Sequence, residues 1–187
     1  YRNKNCLNAY EETEYLPELI SYCHQNDMKV YLRVITNKHK WLYPEHDEWR
    51  MIEVSQDGKL NLKLGCCKDN PGFLNYYYGI LEELVIRYTR GSDKIDGIIL
   101  DQEKTWGRCI CLYTQERFRD VMGKDAVEAT EREFCVYWSI RNAEHFRQVY
   151  KRLKAISPSL EIGVTLEAIT KEYLLHGQTG FAYKYFN

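Results

Sequence analysis

The sequence has few prolines and no long hydrophobic run. Only 4 of its 187 residues are proline and 44% are hydrophobic, which argues against a disordered chain and favours one globular domain over residues 1–187. No apolar stretch approaches the roughly 18 residues of a membrane span, so we expect no membrane partner. The chain begins at Tyr1, so a signal peptide is neither visible nor excluded, and the N-terminus looks truncated.

An excess of charge of one sign is also lacking. The 26 Lys and Arg residues balance the 27 Asp and Glu residues to a net charge of -1. No basic surplus is therefore available to follow a phosphate backbone, and we expect no nucleic-acid partner. The sequence contains no glycine-rich loop of the dinucleotide or P-loop type, and we expect no cofactor.

The cysteines do not form an ordinary disulfide pattern. Their number, 7, is odd, and Cys66-Cys67 and Cys109-x-Cys111 are closely spaced. Reduced thiols are therefore expected, which favours a cytoplasmic location. These thiols could assemble a zinc site, but Thr114 stands where a further cysteine would be needed. We expect buried thiols and no metal.

Hydrophobic periodicity divides the chain into alternating helices and strands. Apolar residues at helical spacing predict helices, and apolar or alternating runs predict strands. The segment 39–69 is expected to be a long loop with a hairpin, because β-prone stretches flank the turn pair Asp57-Gly58. The predicted helices cover residues 16–23, 71–88, 113–122 and 127–156, and the predicted strands cover 28–34, 95–101 and 160–167.

This alternation predicts an α/β fold with a parallel sheet. The sheet would be either doubly wound or part of a (β/α)8 TIM barrel, and both architectures carry their chemistry at the carboxyl ends of the strands. A closed barrel takes about 250 residues. We therefore expect a partial barrel that is truncated at both ends, without an internal domain boundary.

Acidic residues follow the predicted strands where parallel-sheet proteins carry their active sites. Asp101 ends the nearly all-apolar strand 95–101, Glu103 lies two residues further on, and Glu167 ends the strand 160–167. Two carboxylates from neighbouring strand ends are the usual groups for glycosidic bond cleavage, as nucleophile and proton donor. Alternatively, each carboxylate caps a helix or pairs with a nearby Arg or Lys.

Aromatic and polar residues beside the predicted strands are candidates for substrate binding. Trp41 and Trp106 lie just beyond strands, and flat rings suit the faces of sugars. His39 and Asn70 could hydrogen-bond a substrate hydroxyl. Each also has a structural alternative, because a lone histidine is often an ordinary structural side chain and Asn70 precedes a predicted helix that it could cap.

Several of these segments together resemble a known family. The resemblance is to poorly characterised bacterial TIM-barrel glycoside hydrolases, which are themselves similar to α-L-fucosidases, family 42 β-galactosidases and α-amylases. It spans roughly residues 15–167. The segments that carry it are His46-Asp47-Glu48-Trp49-Arg50 with Asp57-Gly58, Asn70-Pro71, Asp96-Gly97-Ile98-Ile99-Leu100-Asp101, and Cys109-x-Cys111 with Glu116-Arg117-Phe118-Arg119.

The resemblance implies hydrolysis of O-glycosidic bonds in a carbohydrate with retention of configuration. Asp101 matches the nucleophile at the end of the fourth barrel strand, and Glu167 falls where amylase-like barrels keep the proton donor, with Glu103 as the alternative donor. The chain departs from the relatives in three places. Ile99 replaces an arginine of the amylases, and Thr114 replaces the last cysteine of the family 42 zinc cluster. Asp101-Gln102-Glu103 stands where the family 42 pattern has its acid/base glutamate preceded by asparagine.

Other functions stay open at this stage. A non-catalytic carbohydrate-binding or scaffold barrel would share the fold and the substrate but release no product. A doubly wound domain would use Asp101 to hold a divalent metal. A homo-oligomer of the full-length protein is also open. Binding without turnover would favour the first rival, and sensitivity to a chelator would favour the second.

Overall fold

The computed structural model describes residues 15–35, 42–54, 58–91, 94–101 and 107–165, with the backbone alone at position 64. Within these ranges the chain forms four helices and five strands, together with short 3₁₀ turns at Asp47–Trp49 and Ala126–Glu128. The helices are α1 (Tyr15–Gln25), α2 (Pro71–Tyr88), α3 (Leu112–Met122) and α4 (Glu131–Ile156), and the strands are β1 (Tyr31–Ile35), β2 (Arg50–Val54), β3 (Leu60–Cys66), β4 (Gly97–Asp101) and β5 (Glu161–Val164).

Strands β1, β4 and β5 form a parallel sheet with β4 in the centre. The register pairs Ile35 of β1 with Asp101, and Leu100 with Val164 of β5. Helix α2 lies in the chain between β1 and β4, and α3 and α4 lie between β4 and β5, as parallel crossovers require. The predicted α/β fold with a parallel sheet is confirmed.

The hairpin predicted within residues 39–69 is also present. Strands β2 and β3 pair in antiparallel register, with Val54 opposite Leu60. Gly58 in the connection has φ of +80°, a backbone conformation that glycine adopts without a steric penalty. Because the hairpin lies in the chain between β1 and α2, it follows the carboxyl end of a strand, where parallel-sheet enzymes usually place their binding loops.

The parallel sheet has one apolar face and one polar face. Side chains alternate along each strand, so Leu32, Ile98 and Leu100 point to one side, where they pack in a core with α2 and α4. That core also contains Tyr77 and, at its margin, Tyr76 and Tyr88, as the helix pattern predicts. The opposite face carries the side chains Arg33, Asp101 and Thr165, which form the candidate site described below.

Gly97 allows a side chain to cross the polar face at the amino end of the sheet. The Tyr31 ring passes over β4, and its hydroxyl donates to Glu161 Oε2 at 2.5 Å. A Cβ at position 97 would lie 2.7 Å from this ring and 2.5 Å from the Glu161 carbonyl oxygen. Lys29 donates to the same carboxylate, and this hydrogen bond lowers the pKa of Glu161. The three strands are thereby joined at the end opposite to Asp101.

A second core lies between the hairpin, α3 and α4. Rings make up much of it, with the Phe118 centroid 4.8 Å from those of both Phe134 and Tyr137. The Ile110 N–H donates to the Ile52 carbonyl at 2.7 Å, which fixes the segment before α3 against β2. The buried members are Met51, Cys67, Cys109, Cys111, Phe118, Ala126, Ala129, Phe134, Tyr137 and Trp138.

Polar caps set the starts of the two longest helices. The Asn70 side chain accepts from the backbone N–H groups of residues 72 and 73, and Pro71 opens α2 as predicted. The Thr130 and Glu133 side chains form a reciprocal capping box that starts α4 at Glu131. The predicted start at position 127 was wrong, because this cap outweighs the apolar pattern. Of the helices described, none has the length and apolar character to cross a membrane.

Candidate active site

Asp101 lies at the carboxyl end of the central strand of the parallel sheet. It is the last residue of β4, and its side chain is only 6% exposed. Burial of a carboxylate is costly unless hydrogen bonds and a counter-charge replace water. The two neighbouring strands supply these groups, because the register places the ends of β1 and β5 on either side of it.

Each oxygen of the Asp101 carboxylate has its own partner. Arg33 Nη2 donates to Oδ2 at 2.6 Å, and the Thr165 hydroxyl donates to Oδ1 at 2.5 Å. The Thr165 backbone N–H also donates to the Leu100 carbonyl at 2.9 Å, which continues the β4–β5 pairing and fixes the hydroxyl beside Asp101. The carboxylate is therefore fixed in orientation by residues of both flanking strands.

The Arg33–Asp101 ion pair lies at the surface of the polar face. The Arg33 side chain is 65% exposed, whereas that of Asp101 is 6% exposed. The guanidinium thus covers the carboxylate from the solvent side. A ligand that reached Asp101 over this face would also contact Arg33. Chemically, the pair can hold an anionic nucleophile, orient a polar ligand, or simply neutralise a buried charge.

Sequence reasoning missed both partners of Asp101. Arg33 stands in a strand whose other members are mostly apolar, and a lone charge in such a strand is a signal that could have been used. Thr165 carried no comparable signal, because its role depends on strand register. The alternative that Asp101 pairs with a basic residue is confirmed, and this pairing does not exclude catalysis.

The structure describes only part of the predicted site. Asn70 is 2% exposed, and its side chain caps α2 and donates to the Glu48 carbonyl at 3.1 Å. The cap alternative weighed for Asn70 is thus the role that the structure shows. The other predicted site residues, His39, Trp41, Glu103, Trp106 and Glu167, lie outside the described residues.

A buried cluster of cysteines lies between the hairpin and α3. The sulfur atoms of Cys67, Cys109 and Cys111 all lie within 4.8 Å of one another. Cys67 Sγ is 3.5 Å from Cys111 Sγ and 3.9 Å from Cys109 Sγ. Cys66, the other upstream candidate, packs instead in the core around α2. We call Cys67, Cys109 and Cys111 the thiol cluster.

The three thiols of the thiol cluster differ in the direction of their pKa shifts. Hydrogen bonds to Cys109 and Cys111 raise the pKa of Cys67 well above its usual value, and the hydrogen bond with Cys111 raises the pKa of Cys109. Hydrogen bonds from Cys109 and Cys67 lower the pKa of Cys111. Hydrogen bonding within the cluster thus favours loss of a proton from Cys111 over loss from Cys67 or Cys109.

The spacing of the thiol cluster fits a metal ion. A tetrahedral zinc ion with Zn–S bonds of about 2.3 Å separates its sulfur ligands by about 3.8 Å. The separations of 3.5 and 3.9 Å agree with this value. The described residues thus provide three thiols at the spacing of zinc ligands, and the Thr114 hydroxyl lies beside two of them. Bound there, zinc would act as a structural crosslink.

An ion pair lies beside the thiol cluster. The Asp69 side chain is 1% exposed, and its carboxylate accepts from Arg141 Nε at 2.8 Å and from the Tyr137 hydroxyl at 2.5 Å. Burial raises the pKa of Asp69, although Arg141 and Tyr137 both oppose this shift. The pair joins the start of α2 to α4, so it fixes the segment that carries Cys67.

The fold defines the class of proteins to which this chain is similar. It shares the fold of part of several glycoside hydrolases, among them α-L-fucosidases and family 42 β-galactosidases. The predicted resemblance is thus confirmed at the level of fold. No family model and no curated protein matches the sequence.

Three of the matching solved structures cover nearly the same share of this chain with similar TM-scores. Isoenzyme 2 of α-L-fucosidase from Paenibacillus thiaminolyticus matches 88% of this chain at 17% identity and a TM-score of 0.63. A family 42 β-galactosidase from G. stearothermophilus matches 91% at 13% identity and a TM-score of 0.68, and the β-galactosidase of Halorubrum lacusprofundi matches 87% at 14% identity and 0.62. The chain spans only 25% to 30% of the length of these proteins.

Proposed function

We propose that this chain is an internal portion of the catalytic barrel of a glycoside hydrolase, with Asp101 as the nucleophile. The observation that carries the proposal is the position of Asp101, buried at the carboxyl end of the central parallel strand with both oxygens held. TIM-barrel enzymes build their active sites from this end of the strands. The fold shared with glycoside hydrolases supports the same reaction class.

The proposed reaction retains the configuration of the sugar. One Asp101 oxygen attacks the anomeric carbon while the bond to the leaving oxygen breaks, and Glu167 or Glu103 gives its proton to that oxygen. A water molecule then loses a proton to the same glutamate and attacks the glycosyl ester, which releases Asp101. Retention requires the two carboxyl groups to lie about 5 to 5.5 Å apart.

Arg33 and Thr165 would position the nucleophile during this reaction. Their hydrogen bonds fix the plane of the carboxylate. Preorganised partners of this kind need no rearrangement as charge moves from Asp101 to the leaving group. The exposed Arg33 side chain would also border the sugar.

The test is a substitution that keeps the shape of Asp101 and removes its charge. In the intact protein, Asp101→Asn is expected to lower turnover of an aryl glycoside by at least about 10⁴-fold, as removal of a nucleophile does. The substrates are aryl α-L-fucosides and β-galactosides, after the activities named for the solved relatives. The matched control is Asp96→Asn, just before the start of the same strand, with activity unchanged.

Two outcomes would contradict the proposal. Full activity of a folded Asp101→Asn variant would show that another group attacks the sugar. Binding of the glycoside to the unaltered protein without release of reducing ends would show a non-catalytic carbohydrate-binding barrel, in which Asp101 and Arg33 form a structural pair.

A further inference from the structure

We propose that Ile35 selects sugars with an apolar group at ring carbon C5, so that the site accepts 6-deoxyhexosides in preference to hexosides. This inference rests on the proposed function, because it concerns the sugar that Asp101 attacks. Its evidence is the place of Ile35 beside Asp101, the exposure of the isoleucine side chain, and the polar groups on the other sides of the carboxylate.

Ile35 lies directly beside Asp101 on the neighbouring strand. It is the last residue of β1, as Asp101 is the last residue of β4, and the parallel register pairs the two. Leu32 and Val34 pack toward the helices, so alternation along β1 turns Ile35 to the polar face that carries the carboxylate. Because neighbouring strands lie about 4.8 Å apart, a sugar ring seated over Asp101 reaches Ile35.

The Ile35 side chain is an apolar surface that the protein leaves open. It is 49% exposed, although isoleucine is among the residues most often buried in folded proteins. Among the residues that the structure describes, it belongs to neither of the two hydrophobic cores. Single exposed apolar residues are common, but this one adjoins a buried carboxylate at the strand end, where parallel-sheet enzymes bind their substrates. A ligand can therefore cover it.

The other groups around the Asp101 carboxylate are polar. The Thr165 hydroxyl lies on the β5 side of the carboxylate, and the Arg33 guanidinium lies on its solvent side. Ring hydroxyls of a sugar can hydrogen-bond with these two groups, whereas Ile35 has neither a donor nor an acceptor in its side chain. The side of the site that Ile35 forms therefore suits a substituent without a hydroxyl group.

The substituent at C5 is the part of the sugar that fits this side. Ring carbons C2 to C4 of a hexopyranose carry hydroxyl groups, and C5 carries the only carbon substituent, which is CH₂OH in hexoses and a methyl group in 6-deoxyhexoses. Against Ile35, a methyl group gains from leaving water, whereas a hydroxyl group loses water without a protein partner. An apolar pocket distinguishes substrates that differ by one hydroxyl group by up to about 100-fold. Because Ile35 covers only one side, we expect a preference of about tenfold.

The test compares aryl glycosides that differ only in the 6-hydroxyl group, with the intact protein. One pair is the α-L-galactoside and its 6-deoxy counterpart, the α-L-fucoside, and the other is the β-D-galactoside and the β-D-fucoside. We expect kcat/KM to be about tenfold higher for the 6-deoxy member of the pair that is hydrolysed. Iminosugars that differ only in the same hydroxyl group provide the comparison by calorimetric binding, without turnover.

Three variants test whether Ile35 causes the preference. Ile35→Thr keeps the β-branched shape and adds a hydroxyl group, so we expect the preference to disappear. Ile35→Val keeps the apolar character and should keep the preference. Ile86→Thr is the matched control, because Ile86 is a 40% exposed isoleucine on α2, on the helix side of the sheet, and it should leave the preference unchanged. The ratio of two substrates does not depend on how much of a variant is folded.

Each outcome separates this inference from the glycosidase proposal. Turnover or binding without a preference for the 6-deoxy member, or a preference that survives Ile35→Thr, would overturn the role of Ile35 and leave Asp101 as the proposed nucleophile. A preference in iminosugar binding without turnover of any glycoside would support the role of Ile35 and contradict the glycosidase proposal. Absence of both binding and turnover would overturn both.

Discussion

Arg141→Met tests whether the Asp69–Arg141 ion pair is needed for stability. The substitution removes the only cation that forms an ion pair with Asp69 in the described part of the chain, while the methionine keeps much of the side-chain volume. The Asp69 and Arg141 side chains are 1% and 13% exposed, so water can replace little of the lost interaction. In the variant, the Asp69 carboxylate therefore stays buried without its counter-charge.

The expected loss of stability is about 3 kcal/mol at neutral pH. Breaking a buried ion pair by removing one partner costs about 3 to 5 kcal/mol. The lower end applies here, because Asp69 keeps the hydroxyl of Tyr137 as a hydrogen-bond donor. Against a total stability of about 5 to 15 kcal/mol for a typical domain, this loss is easily measured.

The direction of the Asp69 pKa shift determines how the loss of stability changes with pH. Burial raises the pKa of Asp69, so the folded state holds the Asp69 proton more tightly than the unfolded chain. The stability contributed by this group is full below the unfolded pKa of about 4 and is lost as pH rises through the folded pKa. Arg141→Met raises the folded pKa further. The loss caused by the substitution should therefore be small near pH 4 and largest at pH 7.

Urea unfolding followed by tryptophan fluorescence measures this loss at several pH values. The control is Arg119→Met, which breaks the exposed Arg119–Asp125 pair and should change stability little. A loss below about 1 kcal/mol at pH 7, or a loss that is the same at pH 4 and pH 7, would refute the reasoning.

Two further substitutions and one control test the fold. Gly97→Ala should cost about 1 to 3 kcal/mol, because the new methyl group meets the Glu161 carbonyl and the Tyr31 ring. Gly163→Ala on the next strand meets only an ordinary contact at 3.8 Å and should cost less, and equal costs by thermal unfolding would contradict this. Thr130→Ala should cost about 1 kcal/mol through loss of the α4 cap, and an unchanged urea midpoint would contradict that.

Local signals in the sequence were sufficient for several elements. The predicted helix 71–88 is α2 as observed, because Asn70 and Pro71 mark its start and one apolar stripe fixes its face. The apolar run that predicts a buried strand contains β4, with Asp101 at its end. In both cases the deciding interactions lie within a few residues of each other.

The partners of Asp101 could not be predicted, since they come from distant parts of the chain. Arg33 and Thr165 are 68 and 64 residues away from Asp101 in sequence. Their contact depends on the register of three strands, which no local pattern specifies. The thiol cluster shows the same limit. Spacing suggested Cys109 and Cys111, but it could not say which of Cys66 and Cys67 joins them.

The adjacent residues Cys66 and Cys67 fix the register of strand β3 in the β2–β3 hairpin. Their side chains enter different cores, so the chain crosses from one packing unit to the other within a single peptide link. Removal of one residue from β3 would turn the Cys66 side chain toward α3 in place of Cys67. Cys109 and Cys111 would then lose their contacts with Cys67. Changes in hairpin length should therefore be tolerated at the tip around Gly58 and rejected at its base.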